Sequence, residues 1–250
     1  MICLSREDRM SKMEKLLVVA LEQAVAAPVA SGRLADAGAR VIKLERSSGD
    51  FARGYDDAVH GASSYFVWIN RGKESCRVDL RRAEDMALVR SMLSHADVFL
   101  QNMAPGRAAR IGLGAEDLRA LNPRLITCDI RGFAPGTPDA ERKAYDLLIQ
   151  AETGLSGVTG TPESGPSRVG ISICDIATGL VAHAAILEAL LEREETGEGR
   201  HIEVSLFDTM ADLMNVPYLL HRYGVAMYHG PGSATLRSPL MAPLPAPMAR

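Results

Sequence analysis

Asp175 is the residue of this sequence best placed to do chemistry. It stands where the run Gly170-Ile171-Ser172-Ile173-Cys174 ends and an amphipathic stretch begins, with apolar residues at Ile176, Leu180, Ala184, Leu187 and Leu191 spaced for a helix. A carboxylate in front of a helix is most often a cap. The same placement suits a nucleophile, because the positive end of the helix and its free N–H groups keep the acid ionised. Other candidates carry less. The glycines from Gly154 to Gly160 either let backbone approach a substrate or form a plain mobile loop. His183 stands alone on an apolar helix and reads as a hydrogen-bonded core histidine. No His, Cys or Asp pair falls at metal-ligand spacing, so no metal is expected.

The elements that must position Asp175 follow from apolar periodicity. Residues 15–21 read as a buried strand, 28–38 as a helix and 40–44 as a second strand, a βαβ opening. A dinucleotide site would need GxGxxG at the first turn. The turn here reads Glu22-Gln23-Ala24-Val25-Ala26-Ala27-Pro28, which removes the main support for hydride transfer. Residues 47–72 are rich in Gly and Ser and carry Phe51, Tyr55, Tyr65, Phe66 and Trp68, the profile of a long, partly ordered surface excursion of the kind that often holds function. Alternation resumes with a strand at 76–80, a helix at 83–94, a strand at 98–101, a helix at 115–121 and a strand at 124–130. Residues 153–170 hold too many glycines and prolines for a regular element and are expected to form a loop beside a site. The helix from Ile176 to Arg193 precedes a strand at 202–206 and a helix from about Asp208 to Tyr223.

These units give an α/β fold, a Rossmann-like open sheet with helices on both faces. The 250 residues, 47% hydrophobic and 24% charged, are globular in composition. A net charge of -3 provides no basic field for nucleic acid or an anionic membrane, so an anionic ligand must be held by local Arg and Lys. Cys3, Cys76, Cys128 and Cys174 form no CxxC pair and mostly sit in apolar runs, as reduced thiols in a cytoplasmic protein do. No run approaches about 18 consecutive apolar residues, the length of a membrane span.

Several stretches together resemble the class III CoA-transferase family, also called CaiB/BaiF, which includes formyl-CoA, carnitine and mesaconyl-CoA transferases and α-methylacyl-CoA racemases. They are Leu21-Glu22-Gln23-Ala24-Val25-Ala26-Ala27-Pro28, then Gly38 to Arg46 (GARVIKLER), Asn70-Arg71-Gly72-Lys73 and Val78-Asp79-Leu80. Ala96-Asp97-Val98, Gln101-Asn102, Ala144-Tyr145-Asp146 before Gln150-Ala151, Gly170 to Asp175 before Gly179, and Thr196-Gly197-Glu198-Gly199-Arg200 complete the series. No single stretch is specific; their order and spacing together are.

The resemblance implies that Asp175 is the catalytic nucleophile, attacking an acyl-CoA thioester to form a mixed anhydride and then carrying CoA as an aspartyl thioester. It implies an active-site role for Tyr145 and coenzyme A contacts at Gln23, Arg46, Arg81, Asn102, Arg110 and Lys143. The plain alternative for each cation is a solvated surface charge. Racemases carry a His-Asp pair where Tyr145-Asp146 stands, and a tyrosine with an ordinary pKa of about 10 is a poor base at pH 7, which favours transfer over racemisation. The wording of the motifs looks most like the mesaconyl-CoA or related dicarboxyl-CoA members.

Family members are longer. The resemblance therefore divides the chain into an extension at 1–14, a large CoA-transferase domain at 15–225, and an irregular tail at 226–250 leading toward a small domain that is mostly absent. It implies a homodimer, interlocked in the family, or a second chain supplying the remaining part. An inactive fold that still binds CoA is the non-enzyme alternative.

Overall fold

In a computed structural model, residues 12–223 are described. The tail expected at 226–250 and most of the extension expected at 1–14 lie outside them. Six parallel strands form one sheet in the order β3-β2-β1-β4-β5-β6: β1 Leu17–Leu21, β2 Arg40–Glu45, β3 Glu74–Arg77, β4 Val98–Gln101, β5 Ile126–Arg131 and β6 His201–Ser205. The order reverses direction between β1 and β4, and that switch point opens a crevice at the carboxyl ends of the strands. The helices are α1 Ala26–Asp36, α2 Ser64–Asn70, α3 Ala83–Leu93, α4 Arg107–Arg110, α5 Ala115–Leu121, α6 Asp146–Glu152, α7 Leu155–Thr159, α8 Ile173–Thr196, α9 Leu206–Leu213 and α10 Asn215–Tyr223.

Strand alternation sorts the apolar residues into two cores. Val18, Ala20, Val98, Leu100, Ile126 and Cys128 face a core shared by α1, α6, α8 and α9. Val19, Ile42, Leu44 and Phe99 face the other, covered by α3, α4 and α5. α8 has the length and apolar composition to cross a membrane, against the expectation from the sequence, yet Cys174, Ala182, Ile186 and Ala189 bury it in the first core. Gly179 lets α8 press on α1: a Cβ there would stand 2.5 Å from the Ala26 carbonyl oxygen and 2.7 Å from Val29 Cβ.

The connection from β5 to β6 runs over the α1 face, whereas those from β3 to β4 and from β4 to β5 cross the opposite face in the same direction along the sheet. It therefore has the opposite hand to the others among the described strands, a rare choice for a parallel crossover. The sequence pattern does not reveal it, because a helix on either face reads alike. Its result is that α8 lies beside α1, with the starts of both helices at the crevice end of the sheet.

Four element readings are corrected. Residues 47–72 contain the helix α2, started by Ser63, whose hydroxyl accepts from the Phe66 N–H, and a one-turn 3-10 helix at Phe51–Gly54. Residues 153–170 contain α7 rather than loop alone. The expected last helix is two, broken at Met214. α8 begins at Ile173, so Asp175 is not its cap but stands in its first turn; Ser172 occupies the capping position and makes no side-chain capping bond.

Candidate functional site

The turn after β1 is held by two side chains that follow its neighbouring strands, Asn102 after β4 and Asp50 after β2. The Asn102 amide donates to the Gln23 carbonyl at 2.8 Å and its oxygen accepts from the Gln23 N–H at 3.0 Å. Asp50 accepts from the Ala24 N–H at 3.2 Å, which fixes Ala24 in the left-handed region, φ 61°. Beneath the turn lies a buried charge network: Lys43 Nζ reaches Asp50 at 2.8 Å and Glu22 at 3.5 Å, and Lys73 Nζ reaches Glu22 at 2.7 Å. Burial alone would raise the Glu22 pKa, but Lys73 and Lys43 outweigh it and hold the carboxyl below the usual glutamate range.

Above this floor is a crevice of about 490 Å³ lined by Gln23, Arg46, Asp79, Arg81, Asn102 and Arg107 among others. Four of the expected coenzyme contacts, Gln23, Arg46, Arg81 and Asn102, therefore meet in one place. Their roles differ. Asn102 spends both ends of its amide on the Gln23 backbone, so it builds the wall. Arg46 and Arg81 are exposed; Arg46 Nε donates to the Gly49 carbonyl at 3.0 Å and Arg81 is paired with Asp79 at 2.7 Å. Arg110 and Lys143 are exposed but do not line this crevice. Arg107 does, and the sequence reading passed over it because nothing in Arg107–Arg110 marked a helix of one turn.

Asp175 stands in the first turn of α8, one turn before Gly179, which meets α1 at Ala26 and Val29. Ile176 packs on Val25, Val29 and Ile69, beside Tyr65. The Tyr65 hydroxyl lies 3.2 Å from the Ser172 hydroxyl and accepts from the Ser172 N–H at 3.3 Å, which pins the aromatic segment to the start of α8. Phe51, Tyr55, Tyr65 and Trp68 form a chain of edge and tilted ring contacts at 5.9–6.1 Å. Burial, then the charge of Asp175, pushes the Tyr55 phenol up to about 12, so it stands as a neutral O–H donor near Asp175.

The first-turn N–H groups of α8 are taken by Asp146: its Oδ1 accepts from Cys174 N–H at 2.8 Å and from Asp175 N–H at 3.3 Å. The expectation that the helix end keeps Asp175 readily ionised is thus overturned. Burial, and then the charge of Asp146, push Asp175 up to about 7. Tyr145, next to Asp146, is 65% exposed and belongs to the electrostatic surroundings of Tyr55. His183 is partly buried, and burial with the nearby Arg33 lowers its pKa, so it is neutral at pH 7.

Asp129, His201 and Glu203 come within 4.8 Å of one another across β5 and β6, a grouping that sequence spacing hides. Arg131 already sits at 3.4 Å from Asp129 and 3.1 Å from Glu203, so its guanidinium occupies the position a cation would take. The arrangement as a whole offers a partly buried, basic carboxylate at the end of the sheet where a crevice with guanidinium groups on its rim opens, a combination suited to acyl exchange with an anionic thioester.

Comparison with known proteins identifies the family and the fold. The family model described as CoA-transferase family III matches residues 13–244. An acetyl-CoA:oxalate CoA-transferase of Acetobacter aceti is 39% identical over 231 residues, 91% of this chain and 58% of that protein. A succinyl-CoA:glutarate CoA-transferase of Mus musculus is 36% identical, over 81% of this chain and 47% of its own. The crystal structure of a CaiB/BaiF family protein from Brucella suis superposes with a TM-score of 0.82 at 37% identity, covering 88% of this chain and 59% of that one. The chain thus spans about half to three-fifths of the length of these relatives.

Proposed function

The chain belongs to CoA-transferase family III, and from that premise we propose that it moves coenzyme A from an acyl-CoA thioester to a carboxylic acid, with Asp175 as the covalent carrier. The observation that carries the reading is Asp175 itself: a carboxylate in the first turn of α8, made basic by burial and by Asp146, at the same end of the sheet as a crevice rimmed by Arg46, Arg81 and Arg107.

An Asp175 oxygen attacks the thioester carbonyl, the C–S bond breaks and CoA thiolate leaves, giving a mixed anhydride. The thiolate attacks the aspartyl carbonyl of the anhydride, the donor acid departs as its carboxylate, and Asp175 holds CoA as a thioester. An acceptor carboxylate attacks that carbonyl and again frees thiolate, which attacks the acceptor acyl group. Acyl-CoA forms and the Asp175 carboxylate returns. Raised basicity makes Asp175 a better nucleophile than an exposed aspartate, while a pKa near 7 leaves it largely ionised just above neutrality. The arginines hold the phosphates of CoA, and neutral Tyr55 is a donor for charge developing on the acyl oxygen.

Relatives named for oxalate and glutarate favour a short dicarboxylic acid as one partner. In this reading residues 15–225 form the CoA-binding domain of a cytoplasmic enzyme, and a second copy or another chain shields the anhydride from water. A racemase would require a base where Tyr145 stands. The test is intact-mass spectrometry of the full chain after incubation with succinyl-CoA and hydroxylamine or borohydride trapping. An adduct in the wild type that is missing from Asp175→Ala supports the reading. A folded wild type that gives no adduct with several acyl-CoAs overturns it in favour of a fold that binds CoA without transferring it.

A further inference from the structure

Gln150 is fully buried on α6, and both ends of its amide are committed. Its oxygen accepts from the Val169 N–H at 2.8 Å, at the end of the glycine-rich segment. That bond settles which end of the amide faces which way, since an N–H must meet an oxygen. The Nε2 group consequently faces Asp146, one turn earlier on the same helix, and donates to Oδ2 at 2.6 Å. The other oxygen of that carboxylate receives the N–H groups of Cys174 and Asp175. One continuous path thus runs from Val169 through Gln150 and Asp146 to the backbone of the nucleophile.

We propose that Gln150 is a positioning residue for acyl transfer, coupling the seating of the 153–170 segment to the placement of Asp175 through the Asp146 carboxylate. The proposal rests on the transferase reading above. What sets Gln150 apart from a core glutamine with a purely local role is where its two partners lie: on Val169 of the 153–170 segment and on the carboxylate that receives the first-turn N–H groups of α8. Movement of Val169 cannot leave Asp146 unaffected, because a buried amide that loses one partner must reorient or remain unsatisfied.

The test compares wild type with Gln150→Met, of similar length and without amide hydrogen bonds, in the full chain. Single-turnover formation of the trapped Asp175 adduct is followed across succinyl-CoA concentrations. Hydrogen exchange of the Val169, Cys174 and Asp175 amides is measured on the same samples. The expected result is a fall of about tenfold or more in the limiting rate, with the half-saturating concentration changed less than about threefold. Faster exchange should reach Cys174 and Asp175 as well as Val169. If the limiting rate stays within about twofold of wild type, or exchange accelerates at Val169 alone, the coupling is overturned. Should Gln150→Met not fold, Gln150→Leu, likewise apolar and without amide hydrogen bonds, carries the test; the same fall in rate is expected, and a wild-type rate overturns the coupling. Absence of an adduct in the wild type itself would instead reject the transferase reading, and this proposal with it.

Discussion

The Asp175 carboxyl lies well above the ordinary aspartate range, and the sign of its pH dependence follows from that. Below about pH 7 it holds a proton and cannot attack. The rate of adduct formation is expected to rise about tenfold per pH unit up to that value and then level. Asp146→Asn removes the nearby charge but leaves the burial, so the acidic limb should move down by about one unit and stop short of an exposed aspartate; stopped-flow trapping from pH 5 to 9 measures both. A limb that stays in place would make burial the whole cause. The place of Asp175 at the head of an apolar helix was legible as a short-range pattern, but that pattern alone reads as a cap, and the role of nucleophile came from the family resemblance. Its basicity was not legible, since burial, the larger cause, and the charge of Asp146, distant in sequence, both arise only once the fold has formed. The same holds for Asn102: its position beside the crevice could be anticipated from the end of a strand, but its commitment to the Gln23 backbone depends on two strands becoming neighbours.

Among the elements, β4 and α5 fall where periodicity put them, and β1, β2, α1 and α3 within a few residues. Those segments are long apolar runs or helical repeats bounded by charge. α2 was hidden because Ser63 to Asn70 sits in a stretch whose glycines and aromatics read as irregular, and its stability comes from Ile69 packing on Val25 and Val29. The contact between α8 and α1 is close, since only a glycine at 179 fits against the Ala26 carbonyl. Gly179→Ala should destabilise the protein by about 1–3 kcal/mol. It should also lower the adduct rate at temperatures where the fold is intact, because the head of α8 shifts with the helix. Thermal unfolding and trapping on the same preparation check this; an unchanged rate at full folding would separate the packing of α8 from the placement of Asp175.

For the molecule as a whole, two cores share one sheet, Phe99 on one face and Ile186 on the other. Because every strand contributes to the same sheet, the cores should unfold together. Phe99→Ala and Ile186→Ala are each expected to cost about 2–5 kcal/mol and to move a single transition seen alike by fluorescence of Trp68 and by far-ultraviolet circular dichroism. Two separated transitions would show the faces to be independent. The reversed hand of the β5–β6 crossover bears on the order of synthesis. The crevice is complete once the chain has passed Arg107, while the helix bearing Asp175 leaves the ribosome much later and must come back across the sheet to settle against α1. During translation the nascent chain therefore has its crevice before it has Asp175, and that carboxylate takes its place only when one of the longest-range contacts of the fold closes.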